Sequence, residues 1–225
     1  MSLRSNVKGM SAAVRAALVV MASPFGVSGS LLLAQADAGP AAAPPPPSHA
    51  EMDKVVHGMW PKVEPGWESR LVQDQTQAVC SRYRNNPPAD EANAISEREA
   101  ATVQRPTDGN VLGNWKEGEK IASNGRGGQF SDPPDTANGG NCYACHQLAK
   151  SELAYGTLGP SLANYGKDRD YSPDLAKAAF AKIYNPHAAV ACSNMPRFGS
   201  QEFLTEQQIK DVVAFLFDRE SPVNK

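Results

Sequence analysis

The sequence predicts an all-α fold, on three observations. Thr205-Glu206-Gln207-Gln208 is a helix-capping box, and Ile209, Val212, Val213 and Leu216 follow at the spacing of one helical face. Ser172-Pro173 opens a second helix running to about Tyr184, with Leu175, Ala179, Phe180 and Ile183 on its apolar face. Proline suits that first turn because its missing N–H would have no partner there. Asn114 to Ala122 reads as a third, shorter helix, with Asn114 as N-cap and Glu117 at the capping-box position. Gly118 inside it costs roughly 1 kcal/mol relative to Ala. That cost is tolerable where another helix crosses closely, and Phe215 is expected to meet Gly118 there.

The chain of 225 residues divides by composition. Residues 1–36 carry Arg4, Lys8 and Arg15 and no acid, then apolar stretches at Ala16–Ala22 and Leu31–Leu33, then the small-x-small end Ala34-Gln35-Ala36. This is the form of a cleaved export signal. Pro24-Phe25-Gly26 interrupts the apolar run before the roughly 18 residues a membrane span needs, so no stable membrane anchor is expected. Residues 37–48, with Pro44 to Pro47, form an extended tether. Residues 49–110 form a helical extension, with segments at Trp67–Tyr83 and Asp90–Val103 too polar to make a large core alone. They are expected to wrap around the domain at 111–225. His49 and His57 are expected to be solvated.

Lys and Arg number 22 against 24 Asp and Glu, for a net charge of -2. No basic stripe points to a nucleic-acid partner. Four cysteines are few for a disulfide scaffold of this size.

Two of those cysteines lie in Cys142-Tyr143-Ala144-Cys145-His146, the attachment signature of a c-type haem. Two thiols three positions apart, on a turn that becomes a helix, each form a thioether to one haem vinyl. His146 is then held under the iron as proximal ligand. A zinc site would need a second Cys pair or a His pair. A thioredoxin-like dithiol would need a preceding strand, and a Gly/Asn/Pro-rich loop over 123–141 stands there instead. Downstream, Leu158-Gly159-Pro160-Ser161-Leu162 offers the Pro160 carbonyl as acceptor for the second ring N–H of His146. The expected sixth ligand is Met195, the sole methionine after the haem motif, in a Pro/Gly loop before the last helix. His187 and Cys192 are the competitors, and His187, after Asn185-Pro186, is expected to be exposed. Filling both axial positions leaves no open site for substrate, so no catalysis by this chain alone is expected.

Cys80 and Cys192 remain. In an oxidising compartment they are expected to pair, closing a loop of about 110 residues worth about 4 to 5 kcal/mol in the simple chain-entropy model.

Residues 111–218 resemble a class I cytochrome c, with first helix, haem motif, Gly-Pro-x-Leu, Met loop and last helix in that family's order. More specifically, Gly140-Asn141-Cys142-Tyr143-Ala144-Cys145-His146, Gly159-Pro160-Ser161-Leu162, Lys182-Ile183-Tyr184-Asn185 and Cys192-Ser193-Asn194-Met195-Pro196-Arg197-Phe198-Gly199 resemble SoxX. Leu204 to Asp211 continues the similarity. SoxX is the family of monohaem subunits of SoxAX cytochromes in bacterial thiosulfate oxidation. The resemblance implies one covalent haem c, attached at Cys142 and Cys145 and ligated by His146 and Met195. It implies a periplasmic heterodimer with a SoxA-type cytochrome, transient contact with the SoxYZ carrier, and electron transfer to a soluble cytochrome c. The activity of that complex is L-cysteine S-thiosulfotransferase. A free-standing electron shuttle, the cytochrome domain of another respiratory complex, and a haem enzyme or sensor in which Met195 dissociates are the other readings.

Overall fold

The computed structural model describes residues 47–63, 67–129, 131–133 and 135–225. The expected signal over 1–36, and all but the end of the expected tether, lie outside the described residues. Among the described residues there is no strand, and the fold is all-α. Its helices are α1 (His49–Met59), α2 (Gln75–Arg82), α3 (Ala89–Ala100), α4 (Trp115–Ser123), α5 (Pro173–Tyr184) and α6 (Glu206–Phe217). No described helix is long and apolar enough to cross a membrane.

The crossing of α4 and α6 is the main helix packing. At Gly118 a Cβ would stand 2.0 Å from the Asp211 carbonyl oxygen and 2.8 Å from Phe215 Cβ. Only a residue without a side chain lets the two backbones come this close. Asn114 caps α4 by accepting from the Lys116 N–H at 3.0 Å, but Glu117 does not complete the box. The Asn114 N–H that Glu117 would have taken donates to Asp211 Oδ1 at 2.8 Å, and Glu117 pairs with Lys120 instead. Asp211, buried on α6, thus holds the start of α4; Gln207 Nε2 also donates to it.

α6 begins at a full capping box between Thr205 and Gln208. Its end is closed by Asn224, whose Nδ2 donates to the carbonyls of Leu216 and Asp218 that have no partner within the helix. Phe180 of α5, Ile209 and Val213 of α6, and Val223 are fully buried at the centre of the core. Leu175 does not join them. It is 43% exposed, and Ala176 takes the inward position one residue on.

The expected helical segment over Trp67–Tyr83 is broken. A 3-10 turn at Glu68–Leu71 ends before Val72, which is 56% exposed, and α2 starts afresh. The break has a local cause. Asp74 accepts from the Gln77 N–H at 2.8 Å, and Gln77 Oε1 accepts from the Asp74 N–H at 3.0 Å, a capping box that sets the start at Gln75. Ile95 of α3 is fully buried beside Cys80 of α2 and Cys192, which are joined in a disulfide with Cα atoms 5.3 Å apart. α3 also packs on the 3-10 turn Pro186–Ala188. The extension and the domain after it lie within one unit, Pro45–Lys225.

Because the α4–α6 contact is backbone against backbone, Gly118→Ala has no flexible neighbour to displace. Its expected cost is about 1 to 3 kcal/mol or more, read as a lowered denaturation midpoint at unchanged slope.

Candidate haem site

The haem motif hangs from the end of α4. Gly140 N–H donates to the Ile121 carbonyl at 2.8 Å and Asn141 N–H to the Asn124 carbonyl at 3.0 Å, so the loop returns to the helix it left. Asn141 sits in the left-handed region, φ 49°, which asparagine tolerates better than most residues. The chain then winds into a single 3-10 turn, Cys142–Ala144. Cys145 and His146 N–H both donate to the Cys142 carbonyl, at 3.1 and 2.9 Å. The expected continuation into a helix does not occur. The Glu152 carboxylate accepts from the N–H groups of Leu148 and Ala149, at 2.5 and 3.2 Å, and diverts the chain into a turn.

Both Cys142 and Cys145 are free, half-buried thiols on this turn. Cys142 packs against the main core. Burial, with a contribution from Cys145, pushes the Cys142 thiol up to about 12. A position that disfavours thiolate suits a thioether sulfur, which never carries charge. No group of three or more His, Cys, Asp or Glu able to hold a metal ion occurs among the described residues, so the motif lacks the further donors of a zinc site.

His146 is oriented from below. Its Nδ1 lies 2.7 Å from the Pro160 carbonyl oxygen. A carbonyl only accepts, so Nδ1 carries the proton and Nε2 keeps the lone pair a metal needs. Gly159 lies flat against the ring: a Cβ there would stand 2.2 Å from Cε1 and 2.5 Å from Nδ1. The Gly159 N–H donates to the Cys145 carbonyl at 2.8 Å and the Leu162 N–H to the Gln147 carbonyl at 2.8 Å, so the Gly-Pro stretch is laced to the motif.

Met195 is half-buried and packs against the same core as Cys142. Its N–H donates to Ser193 Oγ at 3.2 Å. The stretch holding it leaves the disulfide at Cys192, whose φ of 56° is left-handed, and ends where the Gly199 and Ser200 N–H groups donate to the Tyr184 carbonyl. His187 is not exposed as expected. It is 8% exposed, on the Pro186–Ala188 turn that α3 covers. Burial foremost, then Arg197, holds it below its ordinary value, so it is neutral, and its Nδ1 has no partner among the described residues. His57 is exposed.

A part-buried ionic network around Arg197, two residues from Met195, escaped the sequence reading. Arg197 Nη2 contacts Asp74 Oδ2 at 2.5 Å, and Nη1 lies 3.7 Å from Glu99 Oε2. Glu99 also accepts from Thr76 Oγ1 and, at 2.7 Å, from Asn185 Nδ2. Burial raises the Asp74 carboxyl, but the Gln77 N–H and Arg197 outweigh it and the carboxyl lies below its ordinary value. The one legible trace was the Asp74–Gln77 capping box, which would have placed Asp74 at a helix start.

An all-α domain that presents two free cysteines and a carbonyl-oriented histidine on one turn is built for covalent haem. Residues 115–218 form a cytochrome c domain: the family model for cytochrome c matches them, and the cofactor of that domain is covalently bound haem c. Over 169 residues the chain is 39% identical to an uncharacterized lipoprotein of Aquifex aeolicus (strain VF5), an alignment covering 73% of this chain and 79% of that protein. In this chain Cys80 and Cys192 are taken by the disulfide, leaving the two cysteines of the haem motif.

Gly159→Ala tests the orientation of His146. The added methyl overlaps the imidazole, so the expected result is a holoprotein with a disturbed axial-ligand spectrum and reduced haem yield. Ser161→Ala, two residues on, removes the hydroxyl's bond to Gln147 and the one it accepts from the Ala163 N–H, and leaves the spectrum unchanged.

Proposed function

We propose that this protein is an exported electron-transfer cytochrome of the SoxX type, the monohaem subunit of a SoxAX complex. Cys142 and Cys145 would attach the haem, and His146 and Met195 would hold its iron. The bound haem supplies a one-electron ferric/ferrous couple. The observation that supports the ligand assignment is the 2.7 Å contact between His146 Nδ1 and the Pro160 carbonyl, which leaves Nε2 available to a metal. The protein's own residues do the rest. Pro160 makes His146 a better donor, Gly159 keeps its ring upright, and Met195 raises the potential by favouring ferrous iron. With His146 and Met195 both holding the iron, the chain would relay electrons and leave no place there for substrate.

The narrower assignment rests on the resemblance over residues 140–146, 159–162, 182–185 and 192–199. In such a complex thiosulfate is joined to a carrier-protein cysteine with release of two electrons and the thiol proton. This chain accepts those electrons one at a time from the SoxA-type subunit and passes them to a soluble cytochrome c. Covalent haem, attached outside the cytoplasm in bacteria, supports a periplasmic location. A free-standing shuttle is the competing reading.

Purification from the native periplasm, with staining for covalent haem, separates the two. A second haem-bearing chain at fixed ratio, and haem reduction that requires both thiosulfate and the carrier, are expected. A lone haem band indifferent to thiosulfate and carrier would remove the SoxX assignment and leave the shuttle.

A further inference from the structure

We propose that Arg197 is a positioning residue for the sixth ligand: pinned to Asp74 and Glu99 of the N-terminal extension, it holds the Met195 segment in place and sets how readily that ligand leaves. The inference rests on Met195 being the ligand.

The segment is short and fixed on both sides. Three residues before Met195, Cys192 is covalently tied to Cys80 of α2. Two residues after it, Arg197 reaches back to the same part of the extension. Asp74 is the N-cap of α2, and Glu99 belongs to α3. A few residues closed at both ends have little freedom, and removing one closure releases most of what was lost. The position beside the ligand loop invites a different role, contact with a haem propionate. The geometry opposes it, because Nη2 is at Asp74, Nη1 faces Glu99, and the Arg197 side chain is only 10% exposed.

The carboxylates are themselves prepared. Asp74 is held by the Gln77 N–H, and Glu99 by Thr76 and Asn185. Asn185 caps the end of α5, and its Nδ2 also donates to Thr102 Oγ1 at 2.9 Å. The guanidinium therefore docks between two acceptors already in position on two helices, the arrangement that suits a planar fork and that an ammonium reproduces only in part. Past Arg197 the chain drops into the core at Phe198, and a Cβ on Gly199 would stand 2.2 Å from the Tyr184 ring. Motion of the loop is thus confined to Ser193–Pro196, the part that carries the sulfur.

The test is the rate at which cyanide replaces the native sixth ligand in the full-length ferric holoprotein, since cyanide must wait for that ligand to leave. Arg197→Gln is expected to raise the rate about tenfold or more, the scale of a charge-assisted hydrogen bond lost from the loop. Arg197→Lys should recover part of the difference. Asp74→Asn alters the more exposed end of the network, keeps the Glu99 contact, and gives a smaller rise should Arg197→Gln fold poorly. Val223→Ala, in the core but outside the network, controls for general weakening. A rate within twofold of wild type in both Arg197→Gln and Asp74→Asn, or an equal rise in Val223→Ala at matched stability, overturns the proposal. Met195→Ala separates the two layers. If it binds cyanide no faster than wild type, Met195 is not the ligand and both readings fall. If it binds far faster while the network variants match wild type, only the role of Arg197 falls.

Discussion

The close crossing of α4 and α6 at Gly118 is the constraint on which the rest of the molecule depends. Both sides of the candidate site are suspended from it. The haem motif follows α4 and is bonded back to that helix at Ile121 and Asn124. The Met195 stretch enters α6 through Phe198, Leu204 and the Thr205 cap, where Phe203 and Leu204 N–H groups both donate to the Phe198 carbonyl. The haem-motif turn and the Met195 stretch are therefore each tied to one of two helices whose backbones meet at Gly118. That approach is permitted by one missing side chain and held by one buried carboxylate, Asp211.

The chemistry is built from acceptors as much as from donors. A proline carbonyl decides which nitrogen of His146 carries the proton. Burial keeps the Cys142 sulfur uncharged. Beside the Met195 stretch, two carboxylates from the extension hold the Arg197 guanidinium. Of the two, only Glu99 is buried with Arg197, and breaking a buried pair by removing one partner typically costs about 3 to 5 kcal/mol; the contact to the more exposed Asp74 is screened by water and contributes less. The extension thus contributes little apolar core of its own, yet it supplies Cys80 of the disulfide and the ionic contacts that border the Met195 stretch.

Local signals were the legible ones. Each of the capping residues Thr205, Ser172 and Asn114 announced a helix within a few residues of itself, and Gly118 announced a close crossing because a mid-helix glycine otherwise has no reason to be there. The failures have equally specific causes. Glu117 stood at a capping-box position, but the Asn114 N–H it would have taken goes to Asp211, 97 residues on from Asn114. Leu175 kept the helical spacing yet lies just outside the stripe that α5 buries. His187 looked like a turn residue in sequence because nothing local shows that α3 lies over it. The Arg197 network joins residues 98 and 123 positions apart, so no window of sequence contains it.

Magnetic circular dichroism of the oxidised holoprotein in the near infrared tests the central claim most directly, because the energy of the ligand-to-iron charge-transfer band reports the axial pair. Histidine–methionine ligation, lost in Met195→Ala, is the result expected from the oriented His146 and the pinned Met195 loop. A bis-histidine or histidine–thiolate signature, or one unchanged by that substitution, would contradict it.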